Sequence, residues 1–348
     1  MAVRATRGRL ALLGAGAVAA GLLVPNLASA ATVKAQWGGF DKTGIEFNAL
    51  YPSQITVSKG DKVQFAVNGF HTLTIPGKGA KLPAFIVPSK TLNPPTNDPA
   101  GQPYWWGGTT PLIQVNGAAF APIGGTSATG KTLSSGLLPG NAPKFTVTFP
   151  KTGTYQIRCL VHPNMKGTVK VVASSGDTAK KQAARAKKEL ASQTATVKAL
   201  VKKAASSSGP TVFIGPGTKQ AQLFAFEPAN RKVAPGSTVT FTMSGGNEVH
   251  TVAFGPSAFV QNVAKTTFQG QGVDLAGEGF YPSDPPTAGI PSLTPTSHGN
   301  GFLNSGALSD KGTGFPVPHS FQVTFPTAGT YDYICLVHPE MHGTITVG

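Results

Sequence analysis

The chain has 348 residues, with 29 Lys and Arg against 14 Asp and Glu, 43 Gly, 29 Pro and only 2 Cys. At about 100–200 residues per domain, this length accommodates two domains, or one with long insertions. A charged share of 12% beside so much Gly and Pro excludes a charge-rich disordered chain and a helical bundle, and suits an all-β protein with many turns; two Cys are too few for a disulfide scaffold.

Residues 1–30 read as a secretory signal. Arg4, Arg7 and Arg9 precede an unbroken apolar and small run from Leu10 to Val24, and Ala28-Ser29-Ala30 offers a small-residue cleavage site. The run is shorter than the roughly 20 residues a membrane-spanning helix needs, and Pro25 follows it. The mature chain is expected to start near Ala31 and to be soluble, either secreted or periplasmic.

Residues 31–174 read as a first domain. Val57 to Phe65 (VSKGDKVQF) precedes the pair His71-Thr72, and a Gly-, Pro- and Ser-rich insert follows, including Tyr104-Trp105-Trp106. Phe145, Val147 and Phe149 alternate with Thr146 and Thr148, the pattern of a half-buried strand. After Gly153-Thr154 the chain turns, and Tyr155, Ile157 and Cys159 share one face of the next strand. Cys159, His162 and Met165 then sit on one short loop, CLVHPNM.

Residues 175–209 read as a linker. Asp177 to Ala205 is rich in Ala and Lys and free of Gly and Pro, and Ala183, Ala186, Leu190, Val197 and Val201 fall at helical spacings. A helix there would span on the order of 40 Å at about 1.5 Å per residue, with its lysines in solvent.

Residues 210–348 repeat the first domain. Pro143–Val171 and His319–Val347 align without a gap, with 17 of 29 positions identical. Val233 to Phe241 matches Val57 to Phe65, and His250-Thr251 matches His71-Thr72. The second loop carries Cys335, His338 and Met341. Ser134-Ser135-Gly136-Leu137 has a faint echo in Asn304-Ser305-Gly306-Ala307, and each insert is expected to lie as a long ordered loop over one end of its own sandwich. Counting 13 basic and 4 acidic side chains gives residues 31–174 a net +9; 8 and 2 give residues 175–209 a net +6; 5 and 8 give residues 210–348 a net −3. The positive excess would steer an acidic partner to the first domain, and the basic linker toward an anionic surface.

Two His and one Cys with a weak axial Met form the trigonal donor set that suits copper in both oxidation states. A disulfide between the two Cys would explain neither the His nor the Met nor the shared sequence context. Zinc accepts Cys and His but has little use for a thioether. Met243, Trp37, Trp105 and Trp106 read as packing residues. His298 and His319 read as surface residues, and His342, beside Met341, as surface too.

On these motifs the sequence resembles the cupredoxins, the plastocyanin- and azurin-like blue copper proteins, with the short ligand loop similar to amicyanin. The resemblance covers the last thirty or so residues of each domain and the upstream His strand. It implies two Greek-key β-sandwich domains in an all-β fold, two copper ions (one type 1 site per domain) and electron transfer between redox partner proteins. The ligands it implies are His71, Cys159, His162 and Met165, then His250, Cys335, His338 and Met341, with His162 and His338 as surface electron ports. Thr72 and Thr251 stand where the family usually has Asn, which implies a looser tie between the ligand loops. A two-domain copper oxidoreductase of the nitrite reductase kind would need more His ligands. Only His298, His319 and His342 remain, and no His adjoins Cys159 or Cys335. Extracytoplasmic copper storage or delivery would call for more spare Met than the chain has. If the linker is a rigid rod, it is expected to hold the two sites apart.

Overall fold

A computed structural model describes residues 30–88, 100–101, 113–138, 143–267, 279–284, 288–315 and 317–348. Tyr104, Trp105 and Trp106 lie outside the described residues, as do residues 1–29, where the sequence predicts an export signal.

The first sandwich is built from strands whose alternate side chains are buried, as in β4 (Lys62–Val67), where Val63, Phe65 and Val67 point inward. One sheet runs β2 (Ile45–Tyr51), β1 (Thr32–Phe40), β4, β9 (Lys144–Thr148). The other runs β3 (Gln54–Ser58), β11 (Lys166–Val172), β10 (Gly153–Arg158), β5 (Thr72–Ile75), β8 (Leu133–Leu137). Trp37, Leu50, Phe65, Phe149, Ile157 and Val169 fill the space between them. A short antiparallel pair, β6 (Ile86–Pro88) with β7 (Ile113–Val115), lies in the insert.

The second sandwich repeats this order. One sheet runs β14 (Phe226–Glu227), β12 (Thr211–Ile214), β16 (Ser237–Met243), β21 (Ser320–Phe325). The other runs β15 (Asn230–Val233), β23 (His342–Val347), β22 (Gly329–Ile334), β18 (Ala253–Phe254), β19 (Leu303–Asn304). A short pair, β17 (Val249–His250) with β20 (Leu308–Ser309), carries the upstream His. Helix α2 (Ser257–Thr267) lies in the second insert.

Helix α1 (Ala179–Ala205) joins the halves, and it is not a free spacer. Thr178 caps it, its hydroxyl accepting from the Lys181 backbone N–H. Ala186, Leu190, Val197 and Val201 pack on Ile45, Phe47, Ala49 and Tyr51 of β2. Ala183 does not share this stripe: it is exposed, and Gln182 is buried in its stead, donating to the Thr56 carbonyl. The helix therefore covers the face of β2 that carries Ile45, Phe47, Ala49 and Tyr51, while Leu50 on the other face joins the sandwich core.

The halves are joined edge to edge as well. Strand β13 (Ala221–Leu223), from the second half of the sequence, pairs antiparallel with β2, setting Gln222 opposite Glu46. The two inserts also meet. Val115, Phe280, Tyr281 and Ala307 form a buried cluster with Phe85, Ile86 and Phe120. The sequence predicts separate loops over separate ends; instead the two inserts share one apolar core.

Candidate metal centres

Each ligand loop begins where one strand stops and ends where the next begins. After β10, the Cys159 backbone N–H donates to the Met165 carbonyl at 3.0 Å, and the Met165 N–H donates to the His162 carbonyl at 2.9 Å. After β22, Cys335 and Met341, then Met341 and His338, make the same two bonds at 3.0 and 2.9 Å. The turn folds Cys, His and Met back over one point, and His71 and His250 reach it from just before β5 and β18, the strands next to β10 and β22 in the same sheets.

In the first half the Nδ1 atoms of His71 and His162 lie 2.9 Å apart, and Cys159 Sγ is 3.7 Å from His162 Nδ1. In the second half the Nδ1 atoms of His250 and His338 are 3.1 Å apart, and Cys335 Sγ is 3.9 Å from each. Met165 and Met341 are fully buried in the same cores as their cysteines. Both cysteines are free. Two imidazole nitrogens and a thiol that converge around a buried cysteine, with no carboxylate among the three, fit a copper ion by the chemistry of the donors.

The electrostatics favour a thiolate. Burial alone pushes the Cys159 thiol up, but hydrogen bonds and charge from His162 and His71 outweigh it and hold the thiol well below its ordinary range. Cys335 is held low in the same way by His250 and His338. Burial lowers His71, whose ring is walled by Gly38: a Cβ there would lie 2.2 Å from the imidazole. Gly215 plays that part for His250, at 2.9 Å.

The Thr that replaces Asn makes a definite tie. Thr72 Oγ1 accepts from the Leu160 N–H at 2.8 Å, and the Thr72 N–H donates to Cys159 Sγ at 3.4 Å. Thr251 does the same with Leu336 at 2.7 Å and Cys335 at 3.3 Å. The Ser-Gly echo is also structural. Ser135 Oγ takes the Leu73 N–H at 2.9 Å, and Ser305 Oγ takes the Val252 N–H at 2.8 Å, each beside the Thr that follows His71 or His250. Trp37 packs as expected, its indole N–H donating to the Thr72 carbonyl at 3.0 Å. His298 and His342 lie outside both sets, His298 Nε2 being 3.3 Å from Asp284 and His342 exposed.

The expected surface port of the first half is not at the surface. His162 is 3% exposed, and its Nε2 lies 2.6 Å from Glu248 Oε1 of the second half. His338 keeps partial exposure, its ring against Phe224 at a centroid distance of 4.4 Å. Around Glu248 is a polar pocket that sequence reading passed over. Glu46 is buried, accepting from Asn48 Nδ2 at 2.8 Å and Gln222 Nε2 at 3.3 Å, and its carboxylate lies within 4.8 Å of His162 and Glu248. Burial and the Glu248 charge push Glu46 up to about 8. Glu248 goes the other way: burial raises it, but His162 outweighs burial and holds it low. Glu46, His162 and Glu248 lie far apart in the sequence and share no motif; the pairing of β13 with β2 helps to bring them together by setting Gln222 opposite Glu46.

No protein-family model matches the chain, and the search of curated proteins found no match. Among solved structures, the chain is similar to a reduced Cu(I) amicyanin variant at pH 4 (21% identity, TM-score 0.23, covering 42% of this chain and 89% of that one). It is also similar to a purple cupredoxin from Nitrosopumilus maritimus (18%, TM-score 0.23, 40% and 100%). A third is auracyanin A, a blue copper protein of Chloroflexus aurantiacus (23%, TM-score 0.25, 40% and 98%). The chain is mostly β-sheet, and its own sheet order appears twice.

Proposed function

We propose that this chain is an exported electron carrier with a type 1 copper site in each half, divided as residues 31–174, 175–209 and 210–348 after a signal at 1–30. His71, Cys159, His162 and Met165 would hold one ion, and His250, Cys335, His338 and Met341 the other. The observation that carries the reading is the double convergence of two Nδ1 atoms on one buried cysteine. A bound copper ion supplies a one-electron couple at low reorganisation cost. The protein's part is to hold each Cys as a thiolate, to exclude water, and to fix the loop so that it changes little between oxidation states. Thr72 and Thr251 do the last by bonding loop to strand. The positive excess of residues 31–209 supports steering of an acidic redox protein, and the lysines of α1 support contact with an anionic surface.

Copper content with visible and EPR spectra tests the reading. Two ions per chain are expected, with Cys159→Ser and Cys335→Ser each removing about half of the thiolate-to-copper absorption. If either change leaves the colour intact, that half is misassigned. A carrier is favoured over a two-domain reductase by the residues beside the cysteines, Arg158 and Leu160, then Ile334 and Leu336, where a relay His would be needed. Steady nitrite reduction or oxygen consumption by the loaded protein would overturn that preference.

A further inference from the structure

His162 and His338 come from the same motif but have different surroundings. His162 is sealed by Glu248, whose side chain is itself only 14% exposed. A buried ion pair contributes little net stability over apolar packing, and the same seam is closed elsewhere by Phe280 and Tyr281 against Phe85 and Phe120. Adhesion alone therefore gives no reason for a carboxylate here. Its position does. Glu248 lies two residues before His250, a span of at most about 7 Å of backbone. From His71 the path runs 2.9 Å to His162, through the ring, 2.6 Å to Glu248, along Val249 to His250, and 3.1 Å to His338. Every step is a covalent bond or a hydrogen-bond-length contact.

We propose that Glu248 is a positioning residue that couples the two ligand sets, so that the first site exchanges electrons through the second half rather than directly with an outside protein. The inference rests on the two-copper reading above. By engaging Nε2 of His162, the carboxylate leaves Nδ1 as the metal donor and fixes the ring plane. The exchange moves one electron from the reduced centre to the oxidised one; no bond is made or broken and no proton moves. A one-electron redox protein supplies or removes that electron at the partly exposed His338.

The test compares the copper-loaded full chain with Cys335→Ser, Glu248→Ala and Glu248→Gln. A reduced one-electron protein is mixed in, and both sites are followed by absorption. In the parent chain the first site should reduce in a phase whose rate does not depend on partner concentration. Cys335→Ser should slow reduction of the first site about ten-fold or more, and Glu248→Ala should slow the internal phase by about the same factor. Glu248→Ala should also shift the potential of the first site more than that of the second. Glu248→Gln, which keeps the shape and can still accept a hydrogen bond, should retain most of the rate. In the copper(I) protein, NMR should show a slowly exchanging His162 Nε2–H that is lost in Glu248→Ala. An unchanged first-site rate in Cys335→Ser, or an unchanged phase and potential in Glu248→Ala, would overturn the coupling while leaving two coppers in place. Fewer than two thiolate-bound coppers in the parent chain would overturn both readings, and the metal count separates that case.

Discussion

At the scale of single residues, small groups decide whether His71 and His250 can hold their places. Thr72 and Thr251 each give a hydroxyl that accepts a loop N–H and a backbone N–H that meets the Cys sulfur. Thr72→Val keeps the shape but leaves the buried Leu160 N–H without an acceptor. A cost of about 1–3 kcal/mol is expected in urea unfolding, and Thr72→Ser should recover most of it. Gly38 has φ +69° and backs directly onto the His71 ring. Gly38→Ala should therefore displace His71 and remove the colour of the first site only. Gly60 makes the control: at φ +93° with nothing within 4 Å, Gly60→Ala should cost about 1–3 kcal/mol in backbone strain and leave the colour intact.

At the scale of elements, α1 is a docked cover. Its apolar stripe closes the outer face of β2, and its first turn is held by Thr178 at the cap and by Asp177 paired with Lys181 and Arg185. Val197 is fully buried in that contact. Val197→Asp would place an unpaired charge there, at a cost of several kcal/mol. Hydrogen exchange should then show the amides of α1 losing protection while the strand amides of β16 and β21 keep theirs. Ala183→Asp, on the exposed side, should stay within about 0.5 kcal/mol of the parent. Equal effects from the two changes would mean that the helix is not docked in this phase.

At the scale of the whole molecule, the halves are built to stay together. Strand β13 closes the edge of β2, the inserts share one apolar cluster, and Asn164 Nδ2 donates to the Gly312 carbonyl at 2.8 Å across the seam. Cutting the chain would open an unpaired sheet edge and bare that cluster. Residues 31–205 and 210–348 produced separately should self-associate or precipitate, and should form a one-to-one complex when refolded together. Light scattering on a sizing column would show this, and two well-behaved monomers that ignore each other would refute it.

The β-sandwiches and the two seven-residue loops that bring Cys and His together were legible because their information is local. Alternation in Phe145, Val147 and Phe149 marks a strand, and a seven-residue loop holds three donors at spacings that recur in the second half. The stripe on α1 was legible for the same reason, apart from Ala183, because a weak helical period does not fix which face meets a neighbour. Where the helix docks, how β13 completes the sheet of the other half, and why His162 is sealed while His338 is not were decided by tertiary structure. Glu46, Gln222 and Glu248 carry no pattern in the sequence. Their meeting depends on strand pairing between residues about 176 positions apart, and the physical chemistry of that pocket exists only once the two edges have joined.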